Sequence, residues 1–171
     1  LKTTAADLLV LDEIESCLRL PKPSDSYGHI VIDEAQDLSP MQCRAIARRS
    51  GHGSLTVLGD LAQGTTPWAA ADWREQMAHL GKPDAEHTEL TTGFRVPGAI
   101  IELANRLLPH LGVDVAPARS LRSDGSVDLV ETADPLGAVR ESVEKALAEP
   151  GLVGVIAADA RIAEISAALP E

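Results

Sequence analysis

The sequence predicts an α/β fold built on parallel strands. Three observations carry that expectation. Short apolar runs rich in Val and Ile alternate along the whole chain with longer stretches of helical periodicity. The runs are too compact to alternate polar with apolar, which is the pattern of strands buried on both faces. Cap and turn residues (Ser39-Pro40, Gly59-Asp60, Pro97, Gly112) mark the passage from one pattern to the next.

The elements follow in order. "TAADLLVLDEIESCLRL", residues 4–20, reads as a helix: Thr4 and Asp7 form a capping box, and Leu8, Leu11, Ile14 and Leu18 recur at helical spacing. Pro21 and Pro23 are expected to end it. "HIVID", 29–33, is a first strand, buried on both faces. "SPMQCRAIARRS", 39–50, is a helix with Ser39 as N-cap and Pro40 in the first helical position. "SLTVLGD", 54–60, is a second buried strand. "ADWREQMAHL", 71–80, is a short helix, "HTEL", 87–90, a third strand, and "VPGAIIELANRLLPHL", 96–111, a helix ended near Pro109 and Gly112. Pro, Gly, Ser and Asp then crowd residues 112–126, the texture of a linker. Beyond it, "VDLVET", "DPLGAVRESVEKALAEP", "LVGVIAA" and "DARIAEISAAL" give strand, helix, strand, helix.

Composition bounds the function. With 171 residues the chain has room for one domain or a little more. Aromatic residues make up 2%, so the core is expected to be Leu, Val, Ile and Ala. The net charge is -11 and the pI about 4.8. A surface that acidic does not attract nucleic acid or anionic lipid by itself, so any grip on DNA has to be local. Cys17 and Cys43 stand in no metal-like spacing with the histidines and read as thiols of a reducing compartment. No signal peptide and no membrane-length apolar run is present, which makes the cytoplasm the expected location. The chain opens on Leu1 and reads as a piece of something longer.

The chemistry-bearing residues fall at successive strand ends. Asp33 and Glu34 close the first strand, where α/β sheets present residues to a ligand crevice. There Asp33 could hold Mg²⁺ and Glu34 could polarise a water that attacks a γ-phosphate. The second strand ends on Gly59, Asp60 and then Gln63, whose amide can both donate and accept. Arg95 follows the third strand and could supply positive charge to a phosphoryl-transfer transition state. A bare acid pair is equally a solvated strand end. Acid-acid, amide and guanidinium at three consecutive strand ends argue for phosphoryl transfer.

Taken together, "IDEAQDLSP", "VLGDLAQ" and "ELTTGFRVPGAIIELANRLL" resemble motifs II, III and IV of superfamily 1 helicases of the UvrD/Rep type, in matching order and spacing over residues 30–108. The resemblance implies a RecA-like P-loop NTPase architecture, hydrolysis of ATP with Mg²⁺, and movement on single-stranded DNA or a DNA complex. Carried over by position, Asp33 becomes the magnesium carboxylate, Glu34 the catalytic base, and Gln63 and Arg95 the γ-phosphate contacts. Phe94 falls where the family has a tyrosine near the adenine, and Trp68 where it has a tryptophan stacked on a DNA base. The chain departs from the family at Thr66, in place of a tyrosine, and at Ala69, in place of an arginine. "YGHIVIDEAQDLSPMQ" and "LGDLAQGTTPWA" look closer to the HelD-like branch, whose members associate with RNA polymerase and remove it from nucleic acid.

No G-x-x-x-x-G-K-[ST] phosphate loop occurs in the 171 residues. The domain organisation expected is therefore the C-terminal part of one RecA-like lobe over 1–115, a linker over 116–126, and the start of a second lobe over 127–171. Such a chain is expected to be inactive alone. The alternative is a catalytically dead lobe that serves as a protein-binding module; intact Asp33, Glu34, Gln63 and Arg95 argue against it.

Overall fold

The computed structural model describes residues 3–19 and 26–169. It is an α/β structure with short parallel strands, and it divides into two compact units, 1–126 and 127–171.

In the first unit the N-terminal helix α1 spans Ala5–Leu18 and opens with the expected capping box, in which Thr4 Oγ1 accepts from the Asp7 N–H and the Asp7 side chain accepts from the Thr4 N–H. Its last turn closes with the Arg19 N–H on the Glu15 carbonyl at 3.0 Å. Pro21 and Pro23 lie outside the described residues. Strand β1, Ile30–Ile32, pairs in parallel with β2, Leu55–Val57, in the register Ile30–Leu55, Val31–Thr56, Ile32–Val57. Between them, α2 (Pro40–Arg49) makes the crossover that a parallel pair requires. Ser39 caps it, with Oγ 3.3 Å from the Gln42 N–H, and the Gln42 side chain returns a 2.8 Å bond to the Ser39 N–H.

The core of this unit lies under one face of the pair. Ile32, Ala35, Cys43 and Leu80 are buried together, with Ile30, Leu38, Ile46, Leu55, Val57, Trp73 and Met77 packed around them. Burial pushes the Cys43 thiol up to about 11. The expectation that β1 is buried on both faces fails. Val31 is 64% exposed, because only one face of the two-stranded sheet has helices against it.

Helix α1 docks on α2 through charge rather than through its apolar stripe. Arg48 and Arg49 of α2 bond Asp12, and Arg44 and Arg48 bond Glu13. Hydrogen bonding from Arg49, and then from Arg48, holds the Asp12 carboxyl down to about 2. Leu8, Leu11, Ile14 and Leu18 remain exposed.

Helix α3, Trp73–His79, is capped by Asp72, whose carboxylate accepts from the Glu75 N–H at 2.8 Å. The third strand does not form at 87–90. Leu90 there is 87% exposed, and pairing begins at β3, Thr92–Gly93, where β4, Arg119–Ser120, supplies a parallel neighbour. So two residues inside the stretch read as a linker belong to a sheet. Helix α4, Gly98–Leu111, runs through Pro109 and ends at Gly112, which takes the left-handed conformation at φ 66°. Asn105 of α4 brackets Ala118 with two bonds and fixes the return of the chain towards β4.

In the second unit, α5 (Pro135–Leu147) and α6 (Asp159–Ala168) agree with the helices expected. Asp134 caps α5, and Arg140 Nε donates to the Ala168 carbonyl at 2.9 Å. The strands expected at 127–132 and 152–158 are not formed. A strand exists by pairing, and these runs have no ladder partner among the described residues; Leu152 and Ile156 are fully exposed.

Candidate phosphoryl-transfer site

The parallel pairing of β1 and β2 puts two strand ends side by side. Their backbones are tied: the Leu58 N–H donates to the Ile32 carbonyl at 2.8 Å, and the Ala35 N–H to the Leu58 carbonyl at 3.0 Å. Each strand then breaks into one turn of 3₁₀ helix, Ala35–Asp37 after β1 and Leu61–Gln63 after β2.

Asp33 and Glu34 stand exposed at the first break. Asp33 Oδ1 accepts from the Glu34 N–H at 3.0 Å, and Oδ2 makes no hydrogen bond with the described residues. Among the described residues Glu34 is the non-glycine residue with positive φ (52°), a left-handed conformation that costs a side-chain-bearing residue of order 1 kcal/mol or more. At the second break Asp60 organises the turn: Oδ1 accepts from the Ala62 N–H at 2.9 Å and Oδ2 from Gln63 Nε2 at 2.7 Å.

Gln36 joins the two ends. Its side chain is buried, with Nε2 donating to Glu34 Oε2 at 2.7 Å and Oε1 accepting from the Asp60 N–H at 3.0 Å. Glu34, Gln36, Asp60 and Gln63 thus form one hydrogen-bonded chain. Gly59 makes room for it, since a Cβ there would meet Gln36 Oε1 at 2.5 Å. A second buried amide, Gln76 of α3, supports the first turn from below through the Ala35 carbonyl at 2.6 Å. In "DEAQD" the visible chemistry is that of the acids at 33 and 34. The glutamine in the same run was the available signal for Gln36, but only burial shows what it does.

Trp68 is half exposed, and its indole N–H donates to the Asp37 carbonyl at 3.2 Å, so it sits on the rim of the first turn. Arg95 and Phe94 follow β3, in the other strand pair. Arg122 Nη1 donates to the Arg95 carbonyl at 2.6 Å and pairs with Asp124, holding that carboxyl below the usual carboxylate range. The Arg95 guanidinium itself makes no hydrogen bond or ion pair with the described residues, and Phe94 is 70% exposed. The structure therefore brings Glu34 and Gln63 together, places Trp68 beside them, and anchors the backbone of Arg95 separately.

Among the described residues no three acids, histidines or cysteines gather as a self-sufficient metal cage, and no helix is long and apolar enough to cross a membrane.

No family model matches the chain. Over 91 residues it is 32% identical to ATP-dependent DNA helicase UvrD2 of Mycobacterium bovis, and equally to UvrD2 of two Mycobacterium tuberculosis strains. Each match covers 49% of this chain and 12% of the helicase. The chain thus spans a small part of the length of the curated relatives it matches. The similarity is to an ATP-dependent DNA helicase of the UvrD type.

Proposed function

We propose that this chain is part of the ATP-hydrolysing motor of a superfamily 1 DNA helicase or translocase. The observation that carries the reading is the junction of two parallel strand ends, in which Glu34 and Gln63 are joined through one hydrogen-bonded chain beside Asp33. The partial likeness to UvrD2 helicases supports it. In this reading residues 1–115 belong to one RecA-like lobe and 127–171 begin a second.

The residues fit Mg²⁺-ATP. A hard cation that keeps its waters and takes one or two carboxylates plus phosphate oxygens needs no protein cage, and Asp33 offers it a free oxygen. Bound there, Mg²⁺ supplies charge to the phosphates. The side chains do the rest. Glu34 orients and deprotonates the attacking water. Gln63 spends one amide hydrogen on Asp60 and keeps the other for a phosphate oxygen. Arg95, its backbone held by Arg122 and its guanidinium free, meets the developing charge. Phe94 stacks near the base of the nucleotide and Trp68 offers a platform to single-stranded DNA. Without a phosphate loop in its 171 residues, this chain alone is expected to turn over essentially no ATP.

The test uses the full-length protein in which the chain occurs. ATPase activity is measured with and without single-stranded DNA, in the wild type and in Glu34→Gln. The expected result is DNA-stimulated hydrolysis in the wild type and ATP binding without turnover in the variant. Hydrolysis indifferent to DNA but accompanied by co-migration with RNA polymerase would assign the motor to polymerase clearance instead. A Glu34→Gln protein as fast as the wild type would sink the reading.

A further inference from the structure

Gln36 and Gln76 are the two buried polar side chains among the described residues. Gln76 bonds main-chain carbonyls and the Cys43 thiol, which ties α3 to the turn after β1. Gln36 differs, because both ends of its amide engage the candidate site. The orientation of that amide is fixed by its partners: an ionised Glu34 can only accept, and the Asp60 N–H can only donate. A side chain needed only to fill the space would be apolar, since burying an amide carries a desolvation cost that a methionine avoids. Gly59 adds an independent observation, as the next residue type up would drive a Cβ into the Gln36 carbonyl oxygen. And Glu34 holds a strained backbone, a state that persists only where the surroundings over-determine it.

We propose that Gln36 is a positioning residue that locks the Glu34 carboxylate to the turn presenting Gln63. The inference rests on the ATPase reading above and deepens it. Through the Gln36 amide the Glu34 carboxylate and the Asp60 turn hold one relative geometry, so the water-activating acid and the phosphate-facing amide of Gln63 are presented together. Gln36 is buried and acts through the groups it holds, Glu34 and the Asp60 turn.

Two variants of the full-length protein test this. Gln36→Met keeps the volume and removes both hydrogen bonds. Gly59→Ala leaves Gln36 in the sequence and presses on its amide from outside, at 2.5 Å, while also meeting Trp73 at 3.0 Å and the Ala35 main-chain nitrogen at 3.1 Å. Each is expected to lower kcat by about ten- to a hundredfold, the worth of a hydrogen bond to a charged group, while KM for ATP stays within about twofold. A kcat that stays at the wild-type value in folded variants overturns the proposal; a lowered melting temperature with intact kcat would make Gln36 a packing residue. Should Gln36→Met fail to fold, Gly59→Ala alone decides by the same split of kcat from KM. Glu34→Gln is the control that separates the two readings. If it is inactive while the Gln36 and Gly59 variants run at full speed, only the positioning role falls. If it is as fast as the wild type, or the wild type hydrolyses no ATP, both fall.

Discussion

Glu34 holds a backbone conformation that glycine would adopt freely, and a carboxylate that glycine lacks. The backbone term can be isolated by comparing two variants that both lose the carboxylate. Glu34→Gly is expected to be more stable than Glu34→Ala by about 1 kcal/mol, measured by chemical unfolding; equal stabilities would mean that the turn relaxes without strain. The thiols offer a second check at this scale. Cys17 is exposed, whereas Cys43 is buried with its thiol pushed up to about 11. One alkyl group is expected to add rapidly to the native chain at Cys17, and a second only after denaturation, as read by peptide mass mapping. The residues that the sequence singled out are those whose chemistry is visible in one letter: two acids, an amide, a guanidinium. Gln36 and Gln76 were hidden because an amide in a polar run signals solvent, and only the packing of α3 and the closeness of Gly59 reveal that it is inside.

At the scale of elements, the helices and the first two strands were legible and the later strands were not. Caps and periodicity are local properties, so Thr4 and Ser39 stand where their sequences put them. A strand needs a partner elsewhere in the chain, which is why "HTEL" gave way to Thr92–Gly93 and why "LVGVIAA" formed none. Ser39→Ala should cost about 1 kcal/mol by removing the cap that starts α2 directly behind the acid turn. The clasp between α1 and α2 makes a pH-dependent prediction. Asp12 falls from an ordinary 3.8 to about 2 in the folded chain, so its ionised form stabilises docking above the unfolded value. That contribution is fully present from about pH 5 upward, fades below the ordinary value, and is gone once the pH passes below about 2. Amide exchange of α1 followed from neutral pH into acid should show this loss, and Asp12→Asn should show weak docking throughout with that part of the acid response missing.

At the scale of the whole molecule, the two units differ in kind. The first has a core that joins sheet and helices; the second buries Val143 and leaves Leu129, Val130, Leu152 and Ile156 in solvent. A unit of about this size is marginal even with a complete core. Hydrogen exchange of the intact chain is therefore expected to protect the Ala35 and Leu58 amides, bonded between the strand ends, and to leave 127–133 and 152–157 nearly unprotected. Protection in those two runs would mean that strands form there after all. The class of the fold was legible because alternation of patterns runs through the chain. The sheet order within the second unit was not, because its apolar runs meet no ladder partner in these residues.

The chain has two tryptophans, and both sit at the turns that follow β1 and β2. Trp68 leans on the Asp37 carbonyl, and Trp73 packs where Gly59 leaves space beside Gln36. With one tyrosine elsewhere, nearly all the near-ultraviolet emission of this protein originates within the candidate site. The molecule carries its own optical gauge: any rearrangement of the acid turn should be readable as a change in intrinsic fluorescence, with no dye attached.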